Sequence, residues 1–194
     1  MTTTLSNRAV ANLLFSYYPA PTPLLLDQLS IYLELLLKWN GRTNLSAIRD
    51  PEEIIRRHFG ESLFAARYLP EGKTLLDLGS GAGFPGLPIA LAHPHLAVIL
   101  AESQNKKASF LREVIRTLDL PIEVWPHRVE DLPPERLFDI VAMRAVDNPA
   151  LALTLARQRL EPGGTIVYLR SLHSIGERSI PIPDTEIGIL DFIS

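Results

Sequence analysis

The chain contains no cysteine. Disulfides, thiolate metal sites and covalent catalysis through a thiol are therefore closed to it. Long apolar runs are also missing: "LAVILA" is typical, far short of the roughly 18 to 20 residues that a membrane-crossing helix needs. The opening "MTTTLSNRAV" lacks the basic-then-apolar pattern of a secretory leader, so a soluble, cytoplasmic protein is expected. Nor is there an excess of positive charge. Nineteen Lys and Arg stand against 22 Asp and Glu, a net charge of −3, which argues against a generally basic nucleic-acid coat and leaves only local patches. Internal repeats and low-complexity tracts are absent as well. The five histidines are scattered. His93 and His95 fall between a helix and a strand at the wrong sheet end, so no metal site is expected.

What is present suits one main core. At 194 residues and 46% apolar content, the chain is long enough for a globular domain with a small accessory segment. The first seventy residues read as helices. One amphipathic segment follows Ser6, and a leucine-rich one runs to the Asn40-Gly41 stop. Asp50, Pro51 and Glu53 form an N-cap signature that predicts a helix to about Tyr68. From Lys73 the texture changes to short apolar strands near 74–78, 97–101, 122–125, 140–143 and 165–169. Helices are predicted near 85–92, 106–118 and 149–160. Strands alternating with helices imply right-handed crossovers and a mostly parallel, doubly wound α/β sheet. Two parts follow: a helical extension over 1–70 and an α/β domain over 71–194. The last twenty-five residues have room for a short edge hairpin but not for a full helix as well.

Such sheets bind ligands at the carboxyl ends of their strands. "LLDLGSGAGFPGLPIALA", residues 75–92, is the most informative stretch. Glycines at that density allow backbone to approach a ligand or to turn through positive φ. Gly81, Gly83 and Gly86 formally match a dinucleotide fingerprint, with Glu102 at the expected distance. Asp77, however, would be unwelcome beside a pyrophosphate. A carboxylate, two residues ahead of Gly79, suits instead a ligand carrying an ammonium group beside a nucleoside, and S-adenosylmethionine is such a ligand. Glu102 can accept ribose hydroxyls, although a solvated loop glutamate is the alternative. Val129 and Glu130 can flank an adenine, although an ordinary acidic turn is the alternative.

The quoted loop, together with "WNGRTNLSAIRDPEEIIRRH", "ESQNKKASFLREV", "RVED" and "MRAV", resembles the bacterial small-subunit ribosomal RNA methyltransferase G family, also called glucose-inhibited division protein B. The resemblance covers roughly residues 35–170, and Phe84-Pro85-Gly86 with Pro88 is its most specific part. It implies a class I, Rossmann-like, S-adenosylmethionine-dependent enzyme that methylates N7 of a guanine in 16S ribosomal RNA. It implies cofactor contacts at Gly79, Phe84, Val129 and Glu130, and places Arg144 near the methionine end or the substrate; Arg144 is the candidate catalytic residue. Asp77, Gly81, Gly83 and Glu102 are added by the strand-end reading above. The chain departs from the family at Gly60-Glu61, where an apolar residue and aspartate are more common, and at Arg170-Ser171, where lysine-glycine is common.

The chemistry agrees with this class of acceptor. Guanine N7 is a bare lone pair, so no general base is needed, and none stands out. A C5-pyrimidine enzyme normally needs a cysteine. Exocyclic-amine methylation is associated with an Asn/Asp-Pro-Pro-aromatic motif directly after the fourth strand, where "RAV" stands instead. RNA contact would come from Lys38, Arg42, Arg49, Arg56, Arg57, His58 and Arg67, and from Lys106, Lys107, Arg112 and Arg116. In both groups a solvated helix face is the alternative. Trp39 or Phe84 are candidates to stack on a base, with core packing the preferred reading of Trp39. The partner is 16S ribosomal RNA or a 30S precursor, with no membrane and no metal, and the protein is expected to be a monomer. Two other classes stay open: a nicotinamide oxidoreductase using the glycine loop, and a non-catalytic RNA-binding module.

Overall fold

A computed structural model describes residues 5–171, 176 and 178–194. The N-terminal part holds α1 (Asn7–Leu14) and α2 (Pro23–Asn40). Each starts on a side-chain cap. Ser6 accepts from the Ala9 amide, and Thr22 from the Leu25 amide with Pro23 in the first turn. Asp50 likewise accepts from the Glu53 amide. The helix it starts is not uniform: α3 (Pro51–Glu53) passes into a π-helical stretch, Ile54–Gly60, and continues as α4 (Glu61–Arg67). A Cβ on Gly60 would stand 2.8 Å from the Tyr17 ring, so only glycine lets Tyr17 pack against this turn.

The α/β part contains β1 (Thr74–Leu78), α5 (Gly86–Ala92), β2 (Ala97–Ala101), α6 (Asn105–Thr117), β3 (Glu123–Trp125), β4 (Phe138–Arg144), α7 (Pro149–Arg157) and β5 (Leu160–Ser171). An edge hairpin, β6 (Arg178–Pro181) and β7 (Gly188–Ile193), follows. The seven-stranded sheet runs β3-β2-β1-β4-β5-β7-β6. The pairs among the first five strands are parallel, and β7 pairs antiparallel with β5 and with β6. The predicted doubly wound sheet and edge hairpin are both observed. β5 begins five residues earlier than the sequence suggested, because Leu160 already pairs with Phe138 across a register shift. For the same reason α7 stops at Arg157.

Side-chain alternation along the strands builds two cores. Leu75, Val98, Leu100, Ile140, Ala142 and Val167 face a cluster shared with α1, α2, α4, α5 and α6. Leu76, Ile99, Val141, Met143 and Ile166 face a smaller cluster under α7. The first is continuous from the helical extension into the sheet. Tyr32 of α2 lies against Phe59, Phe84 and Phe110 with ring centroids 5.0, 5.4 and 6.1 Å away. Its hydroxyl donates to the carbonyl of Ala82, so α2 braces the loop after β1. β1 lies between β2 and β4, and the chain winds outward from it in both directions, which opens a crevice at its carboxyl end. No described helix is long and apolar enough to cross a membrane.

Candidate active site

The bend after β1 is held by its own backbone. The amides of Gly79 and Ser80 both donate to the carbonyl of Ala101, and those of Gly83 and Phe84 to the carbonyl of Ser80. This path requires φ of +73° at Gly79, +60° at Gly81 and +98° at Gly83, a region that side-chain-bearing residues rarely enter. The glycines differ in what surrounds them. A Cβ on Gly83 would collide with the Tyr32 hydroxyl at 2.5 Å, so that glycine serves packing. A Cβ on Gly79 would meet nothing within 4 Å, and on Gly81 only the Gly79 carbonyl at 3.9 Å. These two present bare backbone to open space.

Glu102, at the carboxyl end of β2, is buried. One oxygen accepts from the Gly81 amide at 2.9 Å and the other from the Gln104 amide at 2.7 Å. It ties the glycine bend to β2, and each oxygen retains a lone pair for a further donor. Leu78, Gly79, Ala101, Glu102, Val129 and Glu130 help to wall a cavity of about 290 Å³. Val129 opens a 3₁₀ turn, Val129–Asp131, and is buried, whereas Glu130 is exposed. A second crevice of about 280 Å³ lies across Gly79, walled by Ser46, His58, Gly81, Phe84, Lys107 and Arg144. Two cavities meeting at an open glycine, one apolar with a carboxylate rim and the other polar, fit the adenosine and the charged amino-acid end of S-adenosylmethionine.

Asp77 requires a correction. It was expected to offer its carboxylate to an ammonium group, but it has no exposed surface. Its Oδ2 accepts from the Gly86 amide at 3.0 Å, and its Oδ1 is buried without a partner. The side chain leaves β1 on the core face and supports the start of α5 from beneath. Burial pushes its pKa up to about 7, partly offset by the Gly86 bond. The start of α5 is accordingly engaged by protein groups, since the Leu87 amide donates to the Gly83 carbonyl. A pyrophosphate would need those amides.

A pH prediction follows. A carboxyl whose folded pKa is raised supports folding while protonated; that contribution is complete below about pH 4 and is lost as pH rises through about 7. In urea titrations without cofactor, the wild type should therefore lose stability between about pH 5 and pH 8 relative to Asp77→Asn, which keeps an acceptor for Gly86. Parallel pH profiles for the two proteins would remove the buried ionisation.

The π-helical stretch supplies residues that the sequence reading did not assign to the crevice. His58 was grouped with the basic patch, but it stands on the crevice wall. Its Nε2 is 2.7 Å from the Ser46 hydroxyl, and its ring stacks on Phe84 at 4.7 Å. Burial, reinforced by Arg144 and Arg57, pushes its pKa down to about 3, so it is neutral. Phe84 is 7% exposed and also lies nearly parallel to Tyr32. With its ring between side chains of the protein, Phe84 is not free to stack on a base. Trp39 packs edge-on against Phe110 and donates to Glu113, as a core residue.

Arg144, at the end of β4, forms an ion pair through Nη2 with Glu61 at 3.0 Å, and the other Glu61 oxygen accepts from Arg57 Nε at 2.7 Å. The Arg144 and Glu61 side chains are 13% and 7% exposed. Burial lowers the Arg144 pKa, with Glu61 opposing. Its Nη1 is buried and has no hydrogen-bond partner among the described residues. Glu61 carried no signal of its own in the sequence beyond its departure from the aspartate of the resembled family.

The candidate RNA contacts are dispersed. Arg42 and Lys106 are exposed, while Lys107 is half-buried on the crevice wall. Arg49 is held by the Asn40 carbonyl and Asn44, and Arg56 pairs with Glu52 one turn away. Arg57 is half-exposed and lines a neighbouring cavity.

Comparison with known proteins agrees with the geometry. The family model described as rRNA small subunit methyltransferase G matches residues 25–179. A curated protein named ribosomal RNA small subunit methyltransferase G from Xanthomonas euvesicatoria is 41% identical over 143 residues, 73% of this chain and 67% of that protein. A protein of the same name from Chromobacterium violaceum is 39% identical over 152 residues, covering 78% of this chain and 73% of its own. Among solved structures, P. horikoshii TYW2 in complex with MeSAdo aligns with a TM-score of 0.57 at 18% identity, covering 70% of this chain and 60% of that one. The T. thermophilus 16S rRNA N2 G1207 methyltransferase, in complex with AdoMet and guanosine, aligns with a TM-score of 0.52 at 20% identity, covering 90% and 43%. These two likenesses speak for the fold.

Proposed function

Since the chain belongs to the rRNA small subunit methyltransferase G family, we propose that it transfers a methyl group from S-adenosylmethionine to N7 of a guanine in 16S ribosomal RNA, using the crevice above β1. The observation that carries this reading is the pair of open glycines, Gly79 and Gly81, between a cavity rimmed by Glu102 and Val129 and a crevice rimmed by Arg144. The cofactor supplies an electrophilic methyl group on a sulfonium. Glu102 would hold the ribose, Val129 the adenine, and the Gly79 to Gly81 backbone would let the amino-acid end approach.

The residues on the acceptor side suit a nucleophile that loses no proton. His58 is neutral and hydrogen-bonded to Ser46, so it neither competes as an acid nor adds charge. Glu61 offsets one of the two positive charges of the guanidiniums that flank it, which reduces the electrostatic cost of a base that becomes cationic as it is methylated. Arg144 is paired from behind with Glu61 and lines the crevice where the substrate would enter. Acceleration then comes from holding acceptor and donor in line in a site shielded from water. The helical extension, residues 1–70, would carry part of the RNA contact through Arg42, Arg49, Arg56 and Arg57, with Lys106 and Lys107 across the crevice.

A nicotinamide oxidoreductase is disfavoured, because the start of α5 is already engaged by Asp77 and Gly83. The direct test is mass spectrometry of 16S RNA nucleosides from cells with and without the gene. One 7-methylguanosine per 16S RNA should disappear with the gene and return with it; an unchanged nucleoside profile would refute the assignment.

A further inference from the structure

A third cavity, of about 460 Å³, adjoins the crevice and shares Arg144 and Ala145 with it. It lies at the carboxyl ends of β4 and β5. Its walls include Arg57 and Glu61 from the π-turn helix, Arg170 from β5, and Asp184 and Glu186 from the loop before β7. Its volume is within the range that holds a nucleotide-sized ligand.

The lining combines both charge signs. Glu61 takes only Nε of Arg57 and Nη2 of Arg144. Arg144 Nη1 and Arg170 Nε are buried from solvent and have no hydrogen-bond partner among the described residues. Arg170 lies over the Tyr168 ring at 5.5 Å, with Nη1 3.9 Å from Asp191. Asp184 and Glu186 are exposed carboxylates. A purely phosphate-binding pocket would not carry these carboxylates. Guanine needs both kinds of group: O6 accepts, while N1–H and the N2 amine donate. Adenine reverses the pattern on that edge, with an acceptor at N1 and a donor at N6. A donor directed to O6 also leaves the adjacent N7 lone pair free for methylation.

We propose that this cavity is the pocket for the acceptor guanine, with guanidinium donors from Arg144 and Arg170 toward O6 and the Asp184 and Glu186 carboxylates toward N1–H and the N2 amine. This rests on the function proposed above and adds the place and the selectivity of base recognition. The adenosine cavity and the base cavity then lie on opposite sides of the crevice, and a base entering through the third cavity reaches the methyl group past Arg144.

The test is calorimetric titration of the full chain with guanosine 5′-monophosphate and adenosine 5′-monophosphate, each with and without saturating S-adenosylhomocysteine. The guanine nucleotide should bind at least about tenfold more tightly than the adenine nucleotide, and that preference should be lost in Asp184→Asn/Glu186→Gln and in Arg170→Ala. Both variants alter groups outside the cofactor cavities, so their affinity for S-adenosylhomocysteine should stay within about twofold of wild type. Equal binding of the two nucleotides, no binding of the guanine nucleotide, or a preference that survives both variants would overturn the pocket assignment. Failure of the wild type to bind S-adenosylhomocysteine would count instead against the methyltransferase site, because the nucleotide titration without it still reports on the pocket.

Discussion

Gly81→Val is expected to weaken binding of S-adenosylmethionine by at least about 100-fold while leaving a folded protein. Two effects combine. Valine at φ +60° is strained by roughly 1 to 3 kcal/mol, which drives the bend toward another path and pulls the Gly81 amide off Glu102. The new side chain also projects into the open space that the site reading assigns to the cofactor, because the protein itself places only the Gly79 carbonyl near it. Gly163 offers a matched control. Its φ is +85°, a Cβ there would also meet nothing within 4 Å, and it stands near the amino end of β5, away from the crevice. Gly163→Val should lower the melting temperature comparably and leave calorimetric affinity unchanged. Retention of wild-type affinity in Gly81→Val would show that the bend does not contact the cofactor.

Arg144→Ala should cut single-turnover methyl transfer on 30S subunits by at least about 100-fold, the scale expected when one oriented charged donor is removed from a preorganised site. Affinity for S-adenosylhomocysteine should fall far less. Two consequences follow from the Glu61 geometry. The truncation removes one of two cations from a buried carboxylate, so stability should also drop, although Arg57 remains to limit the loss. Glu61→Gln, which keeps the shape but removes the charge, should reproduce much of the rate loss by freeing Arg144, while Glu61→Asp should recover part of it. Normal single-turnover rates in Arg144→Ala would take this residue out of the mechanism.

The features most legible in the sequence were those fixed by local patterning. β1 and β2 fall at the expected residues, because each is a short apolar run bounded by turn-formers. The helix starts at Ser6, Asp50 and Asn148 act where short polar side chains precede helical periodicity, whereas the Thr22 cap was not singled out. Gly79, Gly81, Glu102 and Val129 meet at the carboxyl ends of β1, β2 and the segment after β3, as the strand-end rule requires.

What escaped depends on direction and on distant partners. Asp77 was placed correctly along β1, but its position in the alternation sends the carboxylate to the core rather than to the crevice. His58 sits in a run of basic residues, but it lies on the π-helical stretch with its ring against Phe84 and Ser46, contacts that no local pattern announces. The sequence leaves Phe84 open to base stacking because its neighbours in space, Tyr32 and His58, are more than twenty residues away in the chain. The Glu61–Arg144 pair spans the helical extension and β4 and has no local signature.

The most direct test of the account is a crystal structure of the protein with S-adenosylhomocysteine. The adenine is expected beside Val129, the ribose hydroxyls on Glu102, and the amino-acid end across Gly79 and Gly81 with the sulfur facing Arg144. A ligand seated elsewhere, or a crevice that takes a dinucleotide pyrophosphate at the start of α5, would contradict it.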